Sequence, residues 1–217
     1  AQIRRTNDYS WRHYLPRAKS KRGRRGRRGG SPASFIALRR PLAERPASVQ
    51  ERQTPGHWEA DLMLFRTYGQ AVLTLHERHS RLLLATRPPG KAAGPIADTL
   101  AMLLATLPQP WRQSMTFDNG TEFARHYQLH ALGMETFFCD THSPWQKGGV
   151  ENAIGRLRRR LPRKTDLATL PEERFTALVQ GYNNTPRKCL GYQTPAEVFW
   201  DQLLHFNCES TFRPAPE

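Results

Sequence analysis

Three carboxylates stand where a sheet could deliver them to one rim: Asp61 within an apolar stretch, Asp118 directly after another, and Glu151 at the start of a helix-like segment. An Asp inside Ala60 to Leu64 is a local conflict, because strands disfavour Asp and a buried carboxylate without partners is costly. Such conflicts tend to mark functional sites. Three carboxylates brought together repel unless a cation neutralises them, and hard oxygen donors select Mg²⁺ or Mn²⁺. Two such ions can activate a water or hydroxyl and stabilise the leaving oxygen of an in-line phosphoryl displacement. Each residue also has a plainer role open to it. Asp118-Asn119-Gly120 is good turn chemistry, Glu151 is an acid of the kind favoured at a helix N-terminus, and Glu59 shares the strand face of Asp61. Spacing alone does not choose between Glu59 and Asp61.

The elements that must position these groups can be read from periodicity. Strands are expected at Trp58 to Phe65, Gln70 to His76 and Arg81 to Thr86, the first two joined by Arg66-Thr67-Tyr68-Gly69 as a hairpin turn. Leu82, Leu83 and Leu84 read as buried on both faces. Apolar residues at 96, 100, 103, 104 and 107 predict a helix over Ile96 to Leu107, stopped by Pro108-Gln109-Pro110. A short strand at Ser114 to Phe117 follows, then a helix over Glu122 to Leu132, a strand at Met134 to Cys139, a helix over Val150 to Leu161 closed by Pro162, and a helix over Pro171 to Tyr182. Three strands in a row followed by alternating helix and strand predict an α/β fold with a mixed five-stranded sheet whose first strands form an antiparallel meander.

Composition sets the partner class. The 217 residues carry 33 Lys and Arg against 19 Asp and Glu, a net charge of +14, which favours polyanions through counterion release. The excess is local. Residues 1–45 hold 14 basic and two acidic side chains, and residues 46–217 hold 19 and 17. Lys19 to Gly30 alternates cations with glycines and reads as a disordered basic arm whose Arg24, Arg25, Arg27 and Arg28 contact phosphates. Three cysteines without a CxxC pair indicate neither a disulfide framework nor a thiolate zinc site, and fit a reducing compartment. No apolar run approaches 18 residues and the arginine-rich N-terminus has no apolar core segment, so neither a membrane span nor a signal peptide is expected; the reading is of a cytoplasmic, nucleoid-associated protein.

Three blocks carry a resemblance. Gly56-His57-Trp58-Glu59-Ala60-Asp61, Phe117-Asp118-Asn119-Gly120-Thr121-Glu122-Phe123, and Phe138-Cys139-Asp140-Thr141-His142-Ser143-Pro144-Trp145-Gln146-Lys147-Gly148-Gly149-Val150-Glu151-Asn152 resemble the catalytic blocks of bacterial insertion-sequence transposases of the IS-thirty family. The separations of 57 and 33 residues between the acids agree as well. Glu44-Arg45-Pro46, Lys164-Thr165-Asp166-Leu167, Tyr182 to Tyr192 and Thr194-Pro195-Ala196-Glu197 extend the similarity over about Leu42 to Trp200. The resemblance implies a ribonuclease-H-like, retroviral-integrase-type core, with Asp61, Asp118 and Glu151 as an Asp-Asp-Glu triad binding two divalent ions. It selects Asp61 over Glu59 and gives Arg158, seven residues after Glu151, a DNA-binding role. Two turns separate these positions on one helix face, and Arg156, Arg159, Arg160, Arg163 and Lys164 would extend the cationic helix. Lys147 joins the expected DNA contacts. The chain departs from the family at Ala60, Thr141 and Gly149-Val150, where glycine, proline and a Thr-Asn pair are usual.

The resemblance further implies helix-turn-helix domains ahead of the basic segment, and the chain is expected to begin at the tail of the second. The organisation read from sequence is thus a basic arm and DNA-binding remnant (1–45), a catalytic core (46–202) and a C-terminal tail (203–217). The expected activity is metal-dependent cleavage at element ends and transfer of the freed 3′-hydroxyl into target DNA, by a protein that oligomerises on DNA and takes no small-molecule substrate. Two other readings are a silent remnant that only binds DNA, and a ribonuclease-H-like nuclease without strand transfer. His126 and His130, four apart, could present imidazoles to zinc, but without a following Glu or nearby thiolate they read as surface or packed histidines. His142, Ser143, Trp145 and Gln146 lack an oxyanion-hole motif and read as a mobile loop that contacts DNA near the metal site.

Overall fold

The computed structural model describes residues 36–67, 69–141 and 143–211. Strands β1 (His57–Leu64), β2 (Ala71–Glu77), β3 (Leu83–Thr86), β4 (Ser114–Phe117) and β5 (Glu135–Phe138) form one sheet in the order β3-β2-β1-β4-β5. The first three are antiparallel, whereas β4 pairs parallel to β1 and β5 parallel to β4. The helices are α1 (Ser48–Glu51), α2 (Ala93–Ala105), α3 (Gly148–Leu157), α4 (Glu172–Asn183) and α5 (Pro195–Thr211). Among the described residues, no helix is long and apolar enough to cross a membrane.

Strand alternation divides the sheet into two faces, and each has its own core. On one side Trp58, Ala60, Leu73 and Leu75 pack with Ile96, Leu100 and Leu104 of α2 and Phe199 and Leu203 of α5. On the other, Met63, Val72 and Leu83 pack with Ala153 and Leu157 of α3 and Phe175 of α4. Glu59 and Asp61 share the strand parity of Met63 and so belong to the α3 side. β3 is an edge of the sheet, and apolar packing still reaches both of its faces: Leu82 and the half-buried Leu84 join the core on the α2 side, and Leu83 joins the core on the α3 side.

Three elements differ from the sequence reading, each for a physical reason. Residues 121–132 form 3-10 turns, Thr121–Phe123 and His126–Leu132, instead of an α-helix. Their inward residues Phe123, His126 and Leu129 recur every third position, the period of a 3-10 helix. Helix α3 ends at Leu157, five residues before Pro162, so Arg159, Arg160, Arg163 and Lys164 are not helical and Arg158 is the C-cap. α5 runs through the expected boundary at Gln202 into residues read as tail. Its start is a capping box: Thr194 N donates to Glu197 Oε2 at 2.7 Å and Glu197 N to Thr194 Oγ1 at 3.1 Å, with Pro195 at the first helical position.

His126 Nδ1 lies 2.8 Å from Thr136 Oγ1 and its Nε2 2.8 Å from Ala37 O, and His130 Nε2 also meets Thr136 Oγ1 at 2.8 Å. These rings tie the 3-10 turn to β5, with both nitrogens of His126 and Nε2 of His130 engaged within the protein.

Candidate metal centre

Parallel pairing of β1 with β4 is what brings two of the three acids together. Glu59 is in register with Thr116, so Asp61, two residues on, and Asp118, directly after β4, leave the same carboxyl edge of neighbouring strands. Open α/β sheets bind ligands at such edges. Each aspartate commits one oxygen to the backbone: Asp61 Oδ1 accepts from Leu62 N at 2.7 Å and Asp118 Oδ1 from Gly120 N at 3.1 Å. The second bond is an Asx turn, so the Asp-Asn-Gly sequence makes a turn while leaving Asp118 Oδ2 to face Lys147. Asn119 holds the turn against β5 through Nδ2 to Cys139 O at 2.8 Å.

The other oxygens face a cation of the protein itself. Lys147 Nζ is 3.5 Å from Asp61 Oδ2 and 3.1 Å from Asp118 Oδ2, with the lysine side chain only 4% exposed. Burial alone would lower the ammonium pKa, but Asp61 and Asp118 outweigh it and raise it, so Lys147 stays charged. The residue read as a DNA contact is thus placed, in the structure, against the two carboxylates. Burial raises Asp61, with Lys147 opposing and Asp118 adding to the rise. Glu151 is exposed on α3, and its pKa is raised by burial first and then by the Asp61 charge. Among the described residues, no three His, Cys, Asp or Glu side chains form a group that could hold a metal ion as they stand. Asp61 and Asp118 share the Lys147 ammonium, and Glu151 is close enough to feel the charge of both.

Glu59 has a different task. It is fully buried, forms an ion pair with buried Arg78, and its Oε2 accepts from Val150 N at 2.9 Å, satisfying an amide in the first turn of α3. The residue that rivals Asp61 in sequence thus fixes the helix that carries Glu151. A Cβ at Gly149 would lie 2.6 Å from Glu59 Oε2 and 2.9 Å from His76 Nδ1, which accounts for glycine at this departure from the family pattern. Glu122 is a half-buried acid that sequence reading passed over. Burial raises its pKa, and the charges of Asp118 and Asp61 add to the rise.

The predicted DNA contacts separate. Arg158 Nη2 donates to Leu64 O at 2.7 Å and its guanidinium lies 4.6 Å from the Phe65 ring centroid, so it ties the end of α3 to the end of β1. Arg156 and Arg159 are exposed. Arg24, Arg25, Arg27, Arg28 and His142 lie outside the described residues. In the loop before α3, Gln146 clamps Asp140 through two 2.7 Å bonds, leaving Trp145 74% exposed.

The sheet order and the paired aspartates at its parallel edge define a ribonuclease-H-like core of the integrase type. The catalytic core domain of BIV integrase has this fold: it matches at a TM-score of 0.52 and 20% identity, over 68% of this chain and 95% of that one. By sequence, the chain is similar to insertion-sequence transposases of the IS30 type. It is 40% identical over 162 residues to the transposase of IS1086 from Cupriavidus metallidurans (74% of this chain, 48% of the relative) and 36% over 188 residues to transposase InsI of IS30A from Escherichia coli (85% and 49%). The transposase of IS4351 from Bacteroides fragilis is 30% identical over 195 residues (89% and 59%). The chain spans about half the length of these curated relatives. No family model matches it.

An internal ammonium at the focus of two carboxylates gives a direct test. Lys147→Met keeps the side-chain length and removes the charge. The variant is expected to bind Mn²⁺ at least roughly tenfold more tightly than the parent, a gain of about 1.4 kcal/mol, by isothermal titration calorimetry. Unchanged affinity would mean that the ammonium and a divalent ion do not compete for one position.

Proposed function

We propose that this chain carries the catalytic core of a metal-dependent DNA transposase, cleaving a phosphodiester at an element end and joining the 3′-hydroxyl to another strand. The observation that carries the reading is the convergence of Asp61 and Asp118 on one buried cation at the carboxyl edge of parallel strands. The donor set fits a divalent ion: two hard carboxylates already hold a positive charge there, with Glu151 on the adjoining helix as the third candidate ligand. Mg²⁺ or Mn²⁺, in a pair, would activate the attacking oxygen and stabilise the leaving one.

The chain's own residues supply position and charge. Asp61 and Asp118 are oriented by the backbone amides of Leu62 and Gly120, which leaves one oxygen of each for the cation. Glu59 holds the first turn of α3. DNA is the proposed partner, reached through the basic arm and the exposed arginines around α3, and assembly into an oligomer on DNA belongs to the same proposal. Asp61→Asn and Glu151→Gln are each expected to abolish Mg²⁺-dependent cleavage and strand transfer on a labelled element-end duplex while retaining DNA binding. Undiminished cleavage by either variant would overturn the assignment.

A further inference from the structure

Beside the N-terminal end of α3 lies a cleft of about 260 Å³ lined by four arginines, Arg52, Arg81, Arg156 and Arg187, together with His76 and Cys189, and by neither Asp61 nor Asp118. Its lining contains no carboxylate. The cations come from four separate parts of the chain: the end of α1, the turn before β3, α3, and the segment after α4. Their convergence is electrostatically unfavourable. Burial lowers the Arg52 pKa, with Arg81 and Arg78 adding to the fall, and burial with the Arg156 charge lowers Arg187. Arg52 and Arg81 both sit in the left-handed backbone region, at φ 58° and 66°, a conformation that costs energy for a non-glycine residue.

Two polar groups in this lining lack partners. His76, 2% exposed, has Nδ1 with no hydrogen bond, and Arg81 Nε is buried without one. Burial, reinforced by Arg81, Arg52, Arg78 and Arg187, holds the His76 pKa down at about 3. A neutral ring next to four guanidinium groups still offers a neutral donor. Converging cations, an unpartnered buried imidazole and a buried guanidinium nitrogen without a partner together point to an anion site. Guanidinium groups match the geometry of phosphate oxygens.

We propose that this cleft binds a backbone phosphate of a DNA strand, holding the strand where it passes the first turn of α3. The assignment rests on the transposase reading for the identity of the polymer, and inorganic phosphate is the other source of the same chemistry. Arg156 and Gly149 place the cleft on the helix that bears Glu151, so a phosphate seated there fixes the strand relative to the metal centre.

The test uses the full chain and a non-specific duplex. Arg81→Asn, which tolerates the left-handed backbone, is combined with Arg156→Gln, and binding is measured as a function of salt. Loss of one duplex phosphate contact is expected to reduce the slope of log K against log salt by about 0.9 and to weaken binding roughly five- to tenfold, whatever the sequence. A second readout needs no substitution. Cys189 is exposed at the cleft, and duplex DNA is expected to slow its alkylation, followed by mass spectrometry, whereas inorganic phosphate leaves the rate unchanged. An unchanged slope with unprotected Cys189 overturns the proposal, and protection by inorganic phosphate alone overturns its DNA form. Slope loss and Cys189 protection in a chain that cleaves nothing would sink the catalytic reading and leave the cleft assignment standing.

Discussion

Glu59→Ala is expected to destabilise the protein by about 3–5 kcal/mol, because it leaves the Arg78 guanidinium buried without its counter-charge. Both side chains of the pair are almost fully enclosed, at 1% and 2% exposure. Arg78 retains only longer bonds, to Val49 O at 3.3 Å and Gln50 Oε1 at 3.4 Å, and neither acceptor carries a charge. For a domain of this size the loss corresponds to a fall in Tm of roughly 10 °C, and urea unfolding should show it as a shifted midpoint with an unchanged slope. Combining Glu59→Leu with Arg78→Met removes both charges and should recover much of the loss, since an apolar pair of similar volume avoids the desolvation cost. A single variant within 1 kcal/mol of the parent would show that the pair is not the anchor described here.

Acid should unfold the core well above the pH at which ordinary carboxylates titrate. His57 and His76 are buried, and burial followed by the neighbouring arginine charges holds their pKa values down at about 4 and about 3. Released into the unfolded chain, both return to about 6.5. Below that pH the unfolded state binds more protons, so the stabilisation is complete above pH 6.5 and is lost as pH falls towards the folded values. Two imidazoles across two pH units amount to about 5 kcal/mol by pH 4.5. Asp61 and Glu77 act in the opposite sense, since burial raises their pKa values and the folded state takes up their protons first on acidification. Urea unfolding at pH 7.5 and 4.5 measures the net slope, and His57→Asn should remove about half of the histidine contribution. Equal pH dependence in parent and variant would contradict it.

Much of the sheet was legible because β-strand alternation and the proline and glycine breaks are local signals. The strand expected at Ser114 to Phe117 has those bounds in the fold, and the one expected at Trp58 to Phe65 differs by one residue at each end. What sequence could not supply was burial of charged groups. Lys147 stands in a run with Gln146 and two glycines, a setting that suggests a solvent-facing cation, and only the folded chain puts its ammonium between Asp61 and Asp118. Arg158 falls on the helical repeat of Glu151, but α3 stops before it and the side chain turns to the end of β1. Thr194-Pro195-Ala196-Glu197 stands in the sequence as a motif shared with the family, and the fold shows its local reason, a capping box that starts α5. The choice between Glu59 and Asp61 rests on the resemblance; in the structure Asp61 faces Lys147, whereas Glu59 is occupied by Arg78 and Val150.

That occupation has a consequence for how the site comes into being. One carboxylate side chain joins β1, the residue after β2 and the first turn of α3, segments separated by up to 91 residues in sequence. None of these ties can form before the segments have met, so the cluster of Asp61, Asp118 and Lys147 cannot be assembled in a partly folded chain. Its geometry should appear and vanish with the whole core, and the Val150 amide should exchange its hydrogen only by global opening, among the slowest in the protein.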